Sequence, residues 1–241
     1  MDKILGGVVR FHETMASEMR PAFYRLATEG QHPRALFITC ADSRVNPNLI
    51  TSTDPGDLFI IRNIGNLVPP YPEVAAGGAD VSVAAALRYT LDVLDVKNVI
   101  LCGHSQCGAM KAVVEQEKLP ADDPLYRWLR NAAPTLEWAA GEGPLESPEA
   151  SLYDSVARRN VLQQLSHLRG YPGVEERLER GELHLHGWYH VIETAEVEVF
   201  HPGRNRFVRI DAETVDELHF LSQVFRATPQ VGVELLSAQG M

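Results

Sequence analysis

Short apolar runs along the chain predict four strands. Residues 35–39 (ALFIT) and 99–103 (VILCG) are nearly free of polar side chains, which predicts strands buried on both faces of a sheet. The run at 57–62 (DLFIIR) predicts another short strand, and residues 182–192 alternate as a strand does. These four segments are the expected strands of a central sheet.

Segments with helical periodicity separate the strands, because their apolar residues recur every three to four positions. Helices are predicted at 81–93, at 109–114, in patches over 125–138, at 151–168, up to 180 and at 215–225. Alternating strands and helices favour right-handed crossovers. We therefore expect an α/β fold with a mostly parallel central sheet of about four strands, flanked by helices. A further C-terminal strand is expected from segments 196–200 and 207–210, which could form a hairpin across Pro202 and Gly203.

The N-terminal segment carries two amphipathic helices, which Pro21 interrupts. They precede the first strand, so they must dock either on the folded core or on a partner subunit, and both alternatives stay open. The expected organisation is a single domain over 1–241. It consists of a helical arm at 1–33, a core at 34–210 and a C-terminal helix and tail at 211–241.

The amino-acid composition and net charge indicate which kinds of molecule this protein binds. The chain has 241 residues with 22 Lys+Arg against 32 Asp+Glu, a formal net charge of -10, which argues against nucleic acid and anionic membranes. Three cysteines far apart make a poor disulfide framework, and nothing at the start resembles a secretory signal. No apolar run approaches the roughly 20 residues of a membrane helix. A small-molecule substrate and a reducing cytoplasm are expected.

Two strand ends carry the residues of a metal site. His104 follows one buried strand, and Cys107 lies three residues later, where a helix begins, so both side chains can point at one centre. Cys40 ends the strand at 35–39. Strand ends that meet where the strand order of a parallel sheet reverses form a ligand crevice. Two cysteines and one histidine form a set that binds catalytic zinc and leaves a position for water.

Asp42 and Arg44 follow Cys40 directly. A carboxylate two residues past a metal ligand can coordinate the metal or accept a hydrogen bond from its water, and Arg44 can hold that carboxylate ionised. The other candidate groups are assigned structural roles. Cys102 is expected to point into the core, and His184 with His186 lacks a third ligand nearby.

These residues resemble the signatures of β-class carbonic anhydrases. Residues 40–44 (CADSR) and 104–108 (HSQCG) match the patterns C-x-D-x-R and H-x-x-C-G of that family. The likeness continues through Gly30-Gln31, through 55–59 (PGDLF) with Arg62-Asn63, through Tyr89 and through 186–188 (HGW). It extends from the N-terminal arm to about Ile210.

The resemblance implies one Zn²⁺ per chain, on Cys40, His104 and Cys107, and the reversible hydration of CO₂ to bicarbonate. A zinc-activated water would attack CO₂, Asp42 would accept its hydrogen bond and Arg44 would fix Asp42. A neutral Cys₂His site withdraws less charge than a three-histidine site, so the pKa of the water should exceed about 7 and activity should rise with pH. The substrate pocket implied by the family consists of Gln31, Phe59, Tyr89 and Gly103.

The resemblance also implies self-association as a dimer or a multiple of dimers, with Gln31 supplied by the neighbouring subunit. In part of the family, bicarbonate in a separate pocket moves the aspartate onto zinc. Phe37 and His190 replace a tryptophan and a tyrosine of that pocket, whereas Arg62 is retained. We therefore predict the open form, in which Asp42 bonds Arg44, and expect Asp42 as a metal ligand only in a closed form.

Two alternative functions stay open at this point. One is hydrolysis of a CO₂ analogue such as carbon disulfide on the same scaffold. The other is a catalytically silent, zinc-stabilised assembly protein. The expected location is the cytoplasm, with a bacterial CO₂-fixing compartment as the alternative setting.

Overall fold

The computed structural model describes residues 1–115, 119–136 and 151–218. Its sheet has six strands in the order β2-β1-β3-β4-β5-β6. The first four strands in that order run parallel, and β4, β5 and β6 pair antiparallel. The strands are β1 (Ala35–Cys40), β2 (Leu58–Asn63), β3 (Asn98–His104), β4 (His184–Val191), β5 (Glu196–His201) and β6 (Arg206–Arg209).

Helices connect and cover these strands. Short 3₁₀ turns lie at Ile64–Asn66, Arg130–Ala132 and Pro202–Arg204, and a π-helical turn lies at Phe11–Met15. The α-helices are α1 (Asp2–Arg10), α2 (Ala16–Glu29), α3 (Pro47–Thr51), α4 (Tyr71–Ala75), α5 (Ser82–Asp92), α6 (Gly108–Glu115), α7 (Pro124–Leu129), α8 (Leu152–Arg169) and α9 (Val174–Glu179).

The sheet topology places side by side the two strands that end in predicted metal ligands. β1 and β3 are parallel neighbours, with Phe37 opposite Ile100 and Thr39 opposite Cys102. All six residues of β1 are buried, as the unbroken apolar run predicts. The carboxyl ends of β1 and β3 therefore lie at the same edge of the sheet, and the predicted metal-site residues lie at that edge.

Two glycines let α8 approach the sheet closely. A Cβ atom added to Gly103 would lie 2.7 Å from Cγ2 of Val161, and one added to Gly187 would lie 3.0 Å from Cγ1 of the same valine. No side chain fits between strand and helix at these positions. Gly103 therefore sets the distance between α8 and the strand that ends at His104.

The N-terminal arm differs from its sequence prediction at Pro21. The helix does not end there: Pro21 lies inside α2, because a proline removes a single backbone donor and the surrounding turns keep theirs. The arm departs from regular α-helix instead at the π-helical turn just before α2. No residue from 2 to 29 is buried in the described part of the chain.

The predicted α/β class with a mostly parallel sheet is confirmed, and the structure extends it to six strands because both arms of the C-terminal hairpin join the sheet. The helix predicted at 215–225 is helical over 214–218, and its remainder lies outside the described residues, as do the last residues of the 125–138 segment.

Candidate metal centre and active site

Cys40, His104 and Cys107 come together at the carboxyl edge of the sheet. Their ligand atoms lie within 4.8 Å of one another, and the side chains are 5%, 0% and 3% exposed. Tetrahedral zinc with thiolate and imidazole ligands requires ligand separations of about 3.5–3.8 Å, so small movements would close the group around an ion.

One ring nitrogen of His104 is available to bind a metal, because the hydrogen bond of the ring uses the other. Nδ1 lies 2.8 Å from the carbonyl oxygen of Ser105, to which it donates as the N–H tautomer, and the lone pair of Nε2 is then free. Among the described residues, this buried Nε2 has no hydrogen-bond partner. A buried nitrogen lone pair with no partner, beside two thiols, suits a cation, so the residues fit zinc.

Backbone N–H groups point at both sulfur atoms. Asp42 and Gly65 donate to the sulfur of Cys40, the latter at 3.4 Å, and Ala109 and Met110 of α6 donate to Cys107. The Cys107 thiol also donates to Cys40, which lowers the pKa of Cys40 and raises that of Cys107. Both sulfur atoms must be thiolates to bind a metal, so binding of a cation would release protons from this pair.

Asp42 and Arg44 form a bidentate pair next to these ligands. Arg44 donates from Nε to Oδ1 of Asp42 at 2.9 Å, from Nη2 to Oδ2 at 2.8 Å and from its backbone N–H to Oδ1 at 3.0 Å. The hydrogen bonds from the Arg44 side chain hold the pKa of Asp42 well below its usual range. The carboxylate stays ionised, and its direction is set.

Arg62 and Asn63 shape the loop that carries this pair. Arg62 donates to the carbonyl oxygens of Cys40 at 3.2 Å, Asp42 at 2.6 Å and Val45 at 2.8 Å. The Asn63 side chain exchanges two 2.8 Å hydrogen bonds with the backbone of Leu67, across the turn that holds Gly65. Sequence reasoning noted both residues through the resemblance but missed these roles, because side chain-to-backbone contacts leave no periodic signal.

The four residues that are predicted to bind substrate lie in different structural environments. Phe59 and Tyr89 pack together, with ring centroids 5.8 Å apart, so the two aromatic side chains do form one apolar surface. Gln31 is exposed, just after Gly30, whose φ of 91° ends α2 in a conformation that favours glycine. Gly103 packs against α8. Their roles in substrate binding stay predictions.

Cys102 and His186 lie in surroundings that are typical of structural residues rather than of a metal or redox site. Cys102 is fully buried, and this burial raises the pKa of its thiol to about 12. All three cysteines of the chain are free thiols. His186 lies 3.1 Å from Oδ1 of Asn98, and burial lowers its pKa to about 4.

Comparison with known proteins agrees with this geometry. The family model described as carbonic anhydrase matches residues 35–197. A carbonic anhydrase of a Synechocystis species is 42% identical over 213 residues, covering 86% of this chain and 74% of the relative. One from Pseudomonas aeruginosa is 39% identical over 213 residues, covering 87% and 92%.

Solved structures give the same family. The β-carbonic anhydrase CcaA matches with a TM-score of 0.76 at 40% identity and covers 88% of this chain and 92% of its own. A structure described among two tetrameric β-carbonic anhydrases from Sordaria macrospora has a TM-score of 0.68 at 27% identity, covering 82% and 95%. The chain therefore belongs to the β-class carbonic anhydrases, zinc enzymes that hydrate CO₂ reversibly. The comparisons favour this activity over the two alternatives.

A search of helices in the described ranges finds none long and apolar enough to cross a membrane.

Proposed function

We propose that Cys40, His104 and Cys107 bind the single Zn²⁺ of this carbonic anhydrase, and that Asp42 and Arg44 direct the hydration of CO₂ beside it. One observation carries the proposal: the orphaned Nε2 of His104 lies with two thiols within 4.8 Å. Bound zinc supplies a Lewis acid that promotes ionisation of water. Two thiolates and a neutral imidazole balance its charge.

The role of Asp42 follows from its ionisation. An ionised carboxylate can only accept hydrogen bonds, so a reacting water must turn its O–H toward Asp42 and its lone pair toward the substrate. Three donors from Arg44 prevent rotation of the carboxylate. Orientation of this kind lowers the entropy that must be lost on reaching the transition state.

The pair of Phe59 and Tyr89 supports an apolar CO₂ pocket. CO₂ carries no net charge and has weak hydrogen-bonding groups, so a surface of tilted aromatic rings suits it. Gln31 would add an amide donor from a second subunit. A substrate role for Gly103 rests on the family resemblance alone, because this residue packs against α8.

We propose that the chain self-associates through its N-terminal arm, as a dimer or a multiple of dimers. Supporting this, α1 exposes a stripe of apolar side chains that includes Ile4, Leu5 and Val8. The structural relatives from Sordaria macrospora are described as tetrameric. In this organisation residues 1–33 form the arm, 34–210 the catalytic core and 211–241 a C-terminal helix and tail.

We also propose that the protein works in the cytoplasm, where glutathione and thioredoxin keep thiols reduced. Its three free cysteines support this, because a metal site with two thiols close together would be lost on oxidation to a disulfide.

Metal analysis and stopped-flow CO₂ hydration test the proposal together. We expect one Zn²⁺ per chain, loss of hydration after removal of zinc by a chelator and recovery when Zn²⁺ is added back. The Cys107→Ser variant should bind zinc more weakly, whereas Cys102→Ser, which removes a thiol from the core, should retain the metal. Zinc without hydration would favour the silent assembly protein, and a protein without zinc would contradict the proposed centre.

A further inference from the structure

The turn that links His104 to Cys107 depends on its surroundings. It consists of Ser105 and Gln106, and Gln106 has a φ of 55°, in the left-handed region that residues other than glycine seldom adopt. Such a conformation is unfavourable for a residue with a side chain and persists only where neighbouring groups enforce it. Two metal ligands flank this turn, so whatever enforces it also sets their spacing.

Asp154, on the first turn of α8, holds one side of the turn. Its Oδ1 accepts the backbone N–H of Gln106 at 3.4 Å and the hydroxyl of Tyr189 at 3.0 Å. Its Oδ2 accepts the Ser151 hydroxyl at 2.7 Å, and Ser151, the N-cap of α8, in turn accepts the Asp154 N–H at 3.2 Å. The carboxylate thus joins the start of α8, β4 and the turn.

Glu193, in the turn between β4 and β5, holds the other side. Its Oε2 accepts the Ser105 hydroxyl at 2.6 Å, and the Ser105 oxygen accepts the N–H of Ile192 at 2.9 Å. The Gln106 side chain also hydrogen-bonds Glu193. Both central residues of the turn are therefore held by carboxylates that lie far from them in sequence.

The same turn contacts the Asp42 pair. Arg44 Nη2 donates to the Gln106 carbonyl oxygen at 3.0 Å while also donating to Asp42. Asp154 thus accepts a hydrogen bond from the backbone N–H of Gln106, and Arg44 donates one to its carbonyl oxygen. A shift of the turn would move Cys107 and Arg44 together.

We propose that Asp154 and Glu193 are positioning residues of the metal centre, which hold the Ser105–Gln106 turn so that His104 and Cys107 keep their spacing. This inference rests on the proposed function, because it takes His104 and Cys107 as metal ligands. Neither carboxylate contacts the metal ligands' side chains in the structure, so both act through the turn.

Zinc affinity and the spectrum of the cobalt-substituted protein test this inference. Competition with a chromophoric chelator should show that Asp154→Ala lowers Zn²⁺ affinity by about 10- to 100-fold, the usual effect of losing groups that orient metal ligands. The visible ligand-field absorption of the Co²⁺ protein should change shape. Tyr153→Phe is the matched control: it removes a side-chain hydrogen bond from the neighbouring position of α8, to Glu115 rather than to Asp154 or the turn, so it should leave affinity and spectrum unchanged.

Asp154→Asn covers the case in which the alanine variant fails to fold. It keeps a neutral acceptor for Gln106, so affinity should fall less, by about threefold to tenfold, since a charge-assisted bond becomes an ordinary one. Glu193→Ala should lower affinity in the same way as Asp154→Ala. Its control, Thr194→Ala, lies in the same β4–β5 turn and contacts Glu196 rather than Ser105.

The outcomes separate this inference from the proposed function. If wild-type protein binds Zn²⁺ while the Asp154 and Glu193 variants bind it equally well with unchanged cobalt spectra, the inference is wrong and the metal centre stands. If Tyr153→Phe weakens zinc binding as much as Asp154→Ala, loosening of α8 accounts for the effect and the inference is again wrong. If the wild-type protein binds no zinc, both fail.

Discussion

At the scale of single residues, the site depends on a few atoms whose hydrogen bonds determine their chemistry. His104 donates from Nδ1 to the Ser105 carbonyl, and this leaves Nε2 as a ligand. Asp42 receives three donors from Arg44 and remains a carboxylate. These contacts are local in sequence, within one or two residues, so the motifs already contain both partners of each bond.

Replacing Asp42 by asparagine should slow CO₂ hydration strongly. The amide can donate as well as accept, so it no longer forces one orientation of the reacting water, and we expect kcat to fall by about 10²–10⁴-fold. Stopped-flow assays at saturating CO₂ measure this. Asp54→Asn makes the same chemical change in an exposed loop and should leave kcat unchanged; equal losses in both variants would contradict the role of Asp42.

The pH profile should not report Asp42. Because Arg44 lowers the pKa of Asp42 below its usual value of about 4, this group gains a proton only as pH falls through that lowered pKa, and it stays ionised from pH 6 to 9. The expected rise of kcat with pH therefore comes from another group. Asp42→Asn should keep a rising limb at a lower plateau, and a flat profile for this variant would identify Asp42 as the titrating residue.

At the scale of elements, close packing of α8 on the sheet supports the site. Because Gly103 and Gly187 have no side chains, Val161 of α8 packs directly against the backbone of the two strands. The same helix supplies Asn160, whose side chain donates to the Gly65 carbonyl at 3.1 Å, and Gly65 donates to Cys40. One helix thus contacts the strand before His104 and the turn beside Cys40.

Gly103→Ala should lower the free energy of unfolding by about 1–3 kcal/mol, because its Cβ would lie 2.7 Å from the Val161 side chain in a packed core. Urea titrations of a double-mutant cycle with Val161→Ala measure this cost. It should be smaller in the Val161→Ala background, where both γ-methyl groups, including the Cγ2 that faces Gly103, have been removed. Equal costs in both backgrounds would contradict the packing role.

Hydration by the double variant then distinguishes the two roles of Gly103. Activity that recovers together with stability would favour packing as its contribution. Stability that recovers while kcat/KM stays low would instead support the substrate-binding role that the family resemblance implies.

At the scale of the whole molecule, the arm contacts the core at its last turns. A Cβ atom added to Gly56 would lie 2.6 Å from Leu26, so the end of α2 lies against the loop before β2. The first turns expose apolar side chains instead, with Val8 52% exposed. A stripe of this kind is usually covered by another chain.

Val8→Asp should weaken self-association, because it places a charge in the proposed contact between subunits. Light scattering coupled to size-exclusion chromatography should show a smaller species than wild type at micromolar concentration. Ser17→Asp adds the same charge at another exposed position of the arm and should preserve the wild-type mass. A Val8→Asp variant of unchanged mass would argue against the arm as the contact.

The sequence alone determined the α/β class, the strands that end at Cys40 and His104, and the motif residues of the site. Periodicity and short motifs report contacts between near neighbours, and a buried parallel strand leaves an unbroken apolar run that is easily recognised. The pairing of Asp42 with Arg44 belongs to this local information.

Only the tertiary structure decided which distant groups complete the site. Arg62 holds the carbonyls of the Asp42 loop, and Asp154 and Glu193 reach a turn that lies 48 and 88 residues away. Such contacts follow from strand order, register and helix docking, which are set by packing of the whole core and have no signature in any short stretch of the chain.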